Sequence, residues 1–226
     1  MFDIAFISYD EKEADSHWDI LKKKYPYAKR THGVKGIHQA HIEAAKKAFT
    51  PMVWIIDADA VLLDNFNLRY MPAKRDQNAV HVWRSQNPIN DLEYGYGGVK
   101  LFPRYATVNM DISKPDMTTS ISDAFILMNE ISNITAFNVS EFATWKSAFR
   151  ECTKLASKVI DRQKNEETEN RLHIWQTVGQ DRPYGEYAIR GALEGTAYGR
   201  ENQNNVEALK KINNFGWLRE QYNANI

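Results

Sequence analysis

Among its 226 residues the chain has one cysteine, Cys152. A single thiol cannot close an intramolecular disulfide, which excludes a cystine-stapled scaffold and points to a reducing compartment. Cys152 falls on an expected helix, where a buried structural thiol is the expectation rather than a nucleophile. No apolar run approaches the ~20 residues that span a bilayer, so a membrane is not an expected partner. Charge of one sign is also lacking: 29 Lys and Arg stand against 29 Asp and Glu, which argues against a strong nonspecific polyanion binder. Neither Gly-x-Gly-x-x-Gly nor a Walker-type Gly-Lys-Ser/Thr is present, disfavouring a dinucleotide site and a P-loop. No internal repeat, low-complexity tract or long linker is visible. The start, Met1-Phe2-Asp3-Ile4-Ala5-Phe6-Ile7-Ser8, lacks a basic n-region and reads as a first strand rather than a signal peptide.

What is there is a chain that is 43% hydrophobic and 26% charged, the composition of a globular protein with a sizeable core. Its length fits one domain, or one domain with a helical extension. Charge is uneven locally. Residues 10 to 19 hold Asp10, Glu11, Glu13, Asp15 and Asp19, and a basic run from Lys22 to Lys47 follows, mostly a solvated face.

Asp3 to Tyr9 alternates as a first strand, Asp15 to Lys24 reads as a helix with Trp18 and Leu21 one turn apart, and Tyr27 to Arg30 is a short strand. Ile37, Ala40, Ala44, Ala45 and Ala48 give helical spacing up to Thr50-Pro51. This β-α-β-α-β opening predicts parallel strands joined by right-handed crossovers. Ala79 to Arg84, Val99 to Phe102, Ala124 to Met128 and Asn133 to Phe137 are further strand candidates. Beyond Ser140 the pattern turns helical: Glu141 to Lys158, Glu166 to Val178, Tyr184 to Gly195 and Asn205 to Ile212, closing on Trp217-Leu218-Arg219.

The stretch Met52-Val53-Trp54-Ile55-Ile56-Asp57-Ala58-Asp59 concentrates the chemistry. Its nearly continuous apolar run predicts a strand buried on both faces, from which Asp57 and Asp59 emerge. Ligands of α/β sheets bind at the carboxyl ends of strands. Two carboxylates there form a hard-oxygen site suited to Mg²⁺ or Mn²⁺, the ions that accompany phosphates. The preceding helix start, Thr31-His32-Gly33-Val34-Lys35-Gly36-Ile37-His38, offers backbone N–H groups and Lys35 to phosphate oxygens; an ordinary glycine turn reads equally well.

With those elements in place, residues 1 to 160 resemble the glycosyltransferases of the GT-A fold: an α/β, Rossmann-like, mainly parallel sheet flanked by helices. A helical C-terminal third, residues 161 to 226, would pack on that core. The resemblance implies Mn²⁺ or Mg²⁺ on Asp57 and Asp59, with a nucleotide-diphosphate sugar as donor, a UDP-sugar being the first expectation. Asp57 would lie close to the ribose, Ser8, Tyr9 and Asp10 would hold base and ribose, and Lys35 and His38 would line the phosphate side. His173 is the candidate third metal ligand by order along the chain. An inverting transfer needs a general base for the acceptor hydroxyl. Glu141, after the plausible N-cap Ser140, fits that position, with Asp123 and Asp181 in reserve. Trp83, Arg84, Tyr94, Tyr96, Gly97 and Gly98 would build the acceptor side.

The runs from Ser132 to Cys152 and from Ile212 to Leu218 are similar to phage glycosyltransferases that add a sugar to 5-hydroxymethylcytosine in DNA. That implies a DNA acceptor with a flipped-out base and a host-cytoplasm location. Phosphate contacts would come from Lys22 to Lys47, Lys74-Arg75 and Arg104. A protein or polysaccharide acceptor, or a non-catalytic nucleotide-sugar or DNA-binding module, are the alternative readings. The sequence leaves the oligomeric state open.

Overall fold

The computed structural model describes residues 1–159 and 164–224. The chain opens as β1 (Asp3–Ser8), α1 (Ala14–Lys24), β2 (Lys29–His32), α2 (Ile37–Lys46) and β3 (Met52–Asp57). There follow β4 (Ala60–Leu62), β5 (Val80–Gln86), β6 (Glu93–Tyr94), β7 (Val99–Pro103), α3 (Arg104–Val108), α4 (Met117–Ile121) and β8 (Phe125–Thr135). The remainder is helical: α5 (Glu141–Ser157), α6 (Asn165–Thr177), α7 (Gly185–Glu201), α8 (Val206–Lys210) and α9 (Phe215–Ala224). Among the described residues no helix is long and apolar enough to cross a membrane.

The fold class read from the sequence is present: a mixed α/β sheet flanked by helices, with a helical C-terminal part. The sheet runs in the order β2-β1-β3-β7-β5-β8-β4, with β6 paired to β5. β1 pairs in parallel with both β2 and β3, as the β-α-β-α-β opening requires. β5 and β8 are also parallel, and β7 lies antiparallel between β3 and β5. The two short strands expected at Ala124–Met128 and Asn133–Phe137 are instead one strand, β8. Its register against β5 shifts around Arg84, and that irregularity is what breaks the alternation in sequence.

Two compact units divide the chain. One comprises Met1–Gln86, Glu93–Ser113 and Met117–Ala136, and the other Asn87–Leu92, Lys114–Asp116 and Phe137–Ile226. The boundary expected between residues 160 and 161 lies outside the described residues. α5 groups with the helices that follow it.

In the sheet unit β3 is buried on both faces, as its unbroken apolar run demands. Met52, Trp54 and Ile56 pack with Phe6, Phe66 and Trp83 on one side, while Val53 and Ile55 pack with Ala44, Ala45 and Phe102 on the other. Each such large side chain contributes roughly 1.5–3 kcal/mol on burial. β3 is therefore fixed in register, and Asp57, its last residue, is fixed with it.

In the helical unit α5 and α7 meet along a glycine seam. A Cβ added at Gly191, Gly195 or Gly199 would fall 2.4, 2.3 or 2.6 Å from the carbonyl oxygens of Trp145, Phe149 and Thr153. One glycine per turn lets the two backbones touch, and the Thr153 hydroxyl shares its one proton between Phe149 O at 2.8 Å and, across the seam, Gly195 O at 3.1 Å. Cys152 lies buried in α5, where burial pushes its thiol well above the usual range. That fits a structural thiol.

Candidate active site

The carboxyl ends of β1, β2 and β3 share one rim, because Ser8 is in register with His32 and Ile7 with Asp57. The amino end of antiparallel β7 reaches the same rim, with Gly98 O accepting from Asp57 N at 2.8 Å. The turn carrying the two carboxylates is pinned by backbone contacts. His17 Nδ1 meets Ala58 O at 2.7 Å, and Ala136 N donates to Asp59 O at 2.7 Å. Asp57 and Asp59 are both half-buried, while Ala58 between them is buried.

Gly97 and Gly98 floor this rim for a steric reason. A Cβ at Gly98 would sit 2.5 Å from Asp57 Cβ and 2.9 Å from its Oδ2; one at Gly97 would sit 2.2 Å from Ser85 Cβ. Beneath Gly97 lies a buried polar knot. Ser85 and Thr135 share a short hydroxyl contact, and Asn133 Nδ2 donates to both oxygens at 3.3 Å. Lys100 Nζ donates to Gly97 O. His41, buried on α2, donates from Nδ1 to Ile37 O at 2.7 Å. Burial holds its pKa down, opposed by the Asp57 carboxylate and that hydrogen bond, with Lys100 and His38 adding to the depression.

Ser8, on β1, sits in a second cluster on this rim. Arg30 Nε donates to Ser8 Oγ at 2.9 Å, and Ser8 Oγ lies 3.0 Å from His32 Nδ1. Arg30 Nη2 approaches the same Nδ1 at 3.4 Å, and Nη1 pairs with Asp15 at 2.7 Å. His32 is exposed on the same rim. Tyr9 is 39% exposed, its N–H held by Glu11 at 2.7 Å, and Asp10 is exposed beside it. The loop to α2 has exposed Lys35 and turns at Gly36, whose φ of +92° suits glycine alone. Gly36 caps α2 without a side-chain hydrogen bond of its own. His38, in the first turn, lies 3.2 Å from Ser120 Oγ.

The sheet unit thus brings together Ser8, Tyr9, Asp10, Asp57, Asp59, Gly97 and Gly98. Arg84 is exposed, and Tyr94 is buried and stacked on Tyr96 with ring centroids 4.6 Å apart. Trp83 requires correction: at 1% exposure it packs against Trp54, Phe66 and Tyr70 in the core and is no acceptor contact. Gly97 and Gly98 are buried. Asp123 is exposed just before β8.

Glu141, Asp181 and His173 belong to the helical unit. Glu141 opens α5, and Ser140 caps that helix as its sequence position predicts, accepting from Ala143 N at 3.2 Å. The exposed Glu141 carboxylate accepts from Tyr222 Oη at 3.2 Å and from Tyr187. Its hydrogen bond raises the Tyr187 pKa, and burial followed by the same carboxylate raises that of Tyr222, so both phenols stay protonated donors. Asp181 is exposed in the turn between α6 and α7, and His173 is exposed on α6.

Among the described residues no group of three or more His, Cys, Asp or Glu side chains is arranged to hold a metal. Asp57 and Asp59 lie in the sheet unit and His173 in the helical unit. Two carboxylates of hard oxygen still fit Mg²⁺ or Mn²⁺, since such ions commonly take one or two carboxylates and complete their shell with substrate phosphate and water.

Several contributors escaped the sequence reading: His17, Arg30, His41 and Lys100. Arg30 ends the strand segment that was expected, so its alternation with His32 across β2 was the one available signal. The others are brought in by tertiary contacts alone.

No family model matches the chain, and no curated protein matches it. Among solved structures the chain is similar to mannosyltransferase PcManGT from Pyrobaculum calidifontis, determined in complex with GDP-Man and Mn²⁺. The two are 13% identical with a TM-score of 0.44, over 99% of this chain and 80% of that one.

Proposed function

We propose that the chain is a metal-dependent glycosyltransferase of the GT-A type, moving a sugar from a nucleotide-diphosphate donor to a hydroxyl acceptor. One observation carries the reading. Two carboxylates leave the carboxyl end of a fully buried strand on a turn whose backbone is tied at Asp57 N, Ala58 O and Asp59 O. A side-chain pair held so rigidly at a ligand-binding rim is preorganised for a charged ligand rather than for solvent.

Asp57 and Asp59 would hold Mn²⁺ or Mg²⁺. Bound there, the ion supplies Lewis-acid stabilisation of the departing diphosphate, worth several kcal/mol. The other roles belong to the chain itself. Lys35, exposed in the loop before α2, meets phosphate oxygens, and exposed His32, held beside Ser8 and Arg30, meets the nucleoside. Tyr9 presents a ring face to the base. Glu141 accepts the acceptor's proton if the transfer inverts, its two tyrosine donors fixing the carboxylate. The favoured acceptor is 5-hydroxymethylcytosine in DNA, after the resemblance of residues 132–152.

A thermal-shift panel of nucleotide sugars with and without Mn²⁺ tests the donor site. At least one donor should stabilise the wild type only when the metal is present, and Asp57→Ala and Asp59→Ala should abolish that response. No stabilising donor, or an undiminished response in both variants, overturns the proposal. Mass analysis of hydroxymethylcytosine DNA, a test protein and a polysaccharide, each incubated with the best donor, then identifies the acceptor.

A further inference from the structure

The two edges of the sheet are finished differently. At one end β2 has only four residues, including Lys29 and Arg30, and Arg30 O already accepts from Lys47 Nζ at 2.7 Å. Short length and charge are how edge strands are kept from pairing with another chain. At the other end β4 covers β8 only over residues 133–135, so along residues 125–131 no strand lies outside β8 among the described residues. The uncovered part opens Ala124-Phe125-Ile126-Leu127-Met128, a run without charge, proline or glycine. Leu127 is 74% exposed. Phe125 packs on the face of the sheet that holds Val80 and Val82, and Met128 on the face that holds Trp83. Both apolar layers therefore run out to this edge.

The backbone fixes what can pair there. Ala124 O accepts from Val80 N at 2.8 Å, and the register with β5 is regular from Phe125 to Met128. Backbone polar groups alternate along a strand, so those of Ile126 face β5 and those of Phe125 and Leu127 face outward. An antiparallel copy turned about a two-fold axis at Ile126 matches donors to acceptors. Phe125 and Leu127 then stand opposite Leu127 and Phe125 of the copy, and each pair exchanges both N–H···O=C bonds. The side chains match as well. Phe125 meets Leu127 on one face; on the other Ile126 meets Ile126 and Ala124 meets Met128. No like charges are opposed, since Asp123 falls across from Asn129 and Glu130 from Ser122. The segment is its own complement, and one pairing uses the edge of both chains, so assembly closes at two. We infer that the chain forms a two-fold dimer by antiparallel pairing of residues 124–128 of β8, centred on Ile126. β8 stands three positions along the sheet from β3, and the inference does not rest on the donor site.

Sedimentation velocity over a concentration series reaching about 100 μM, above the micromolar Kd of a weak interface, tests the inference without donor or metal. The wild type should show a monomer–dimer equilibrium. Leu127→Lys, which sets a charge against the apolar Phe125 of the copy, should stay monomeric at every concentration. Leu127 is exposed, so that variant should keep the wild-type circular dichroism spectrum and melting temperature when both are dilute. Cysteine cross-linking under mild oxidant reads the register. A central non-hydrogen-bonded pair has its Cα atoms about 4.5 Å apart, within disulfide reach, so Ile126→Cys should give a covalent dimer. Leu127→Cys should cross-link far less, because its counterpart lies diagonally at about 7–8 Å. The native Cys152 is buried and adds no background. A wild type monomeric throughout the series, or an undiminished dimer in Leu127→Lys, overturns the inference. So do assemblies larger than two, or cross-linking of Leu127→Cys in preference to Ile126→Cys.

Discussion

Replacing Gly195 by Ala sets two ordinary effects against each other. On an isolated helix the change gains about 1 kcal/mol, since alanine is the better helix former. In this fold the new Cβ would meet Phe149 O at 2.3 Å and Phe149 Cα at 2.8 Å, both backbone atoms that cannot rotate away. Close carbon-to-carbonyl contacts settle at about 3.3–3.6 Å, so α7 must withdraw by about 1 Å. Gly191 and Gly199 lie on the same seam, so withdrawal opens the whole of it and not one point. A gap of that width forfeits a quarter to a half of each dispersion contact. The Thr153 Oγ1 hydrogen bond to Gly195 O, at 3.1 Å, weakens too, at a cost of about 1 kcal/mol. Overpacking of this kind costs about 1–3 kcal/mol. Set against the propensity gain, the net is a destabilisation of about 2 kcal/mol, or some 4–8 °C in Tm for a chain of this size. Urea unfolding followed by circular dichroism and by tryptophan fluorescence measures it. If Gly195→Ala is stabilised by about 1 kcal/mol, propensity alone governs and the backbone-contact seam is refuted.

At saturating Mn²⁺ and a donor concentration of about 100 Kd, ligand binding stabilises the wild type by about 2.7 kcal/mol, and Asp59→Asn should lose that increment while keeping its ligand-free Tm. Gly98→Ala places a methyl 2.9 Å from Asp57 Oδ2, so turnover should fall about 100-fold through misplacement of the carboxylate, as rate measurements at saturating donor would reveal. His41 and His81 are both held below their ordinary pKa by burial, so the fold keeps them neutral while the unfolded chain can protonate. Their contribution to stability is complete above about pH 6.5 and is lost as pH falls toward the folded values; urea midpoints at pH 8 and pH 5 should differ less in His41→Asn/His81→Asn than in the wild type. Cys152, buried with a raised pKa, should resist a thiol-specific chromogenic reagent in native buffer and react at once in denaturant.

The elements most legible in the sequence were those set by local pattern. β3 announces itself by an apolar run that ends in charge, and α5 by a serine cap followed by helical periodicity. Trp83 shows the limit of that reading. It sits at the centre of a strand flanked on both faces, where alternation carries no information, so nothing local distinguished a core ring from an exposed one. β8 was divided in two because its register slips against β5, an event that only the neighbouring strand reveals. His17 and Lys100 reach the rim from residues far from Asp57 in sequence, and no motif spacing links them to it. For the same reason Glu141 was legible as a helix start but not as a carboxylate clasped by Tyr187 and Tyr222.

The backbone ties of the Asp57–Asp59 turn have a thermodynamic consequence. With the Ala58 and Asp59 carbonyls each already accepting a hydrogen bond from His17 and Ala136, the carboxylates are the charged groups the turn offers an ion. Under the proposed function, cation and diphosphate then complete each other's coordination. By linkage, whatever factor the metal adds to donor affinity, the donor adds to metal affinity. Neither has an affinity that can be quoted without the concentration of the other, and a chelator acts on this protein as a competitor of its sugar donor.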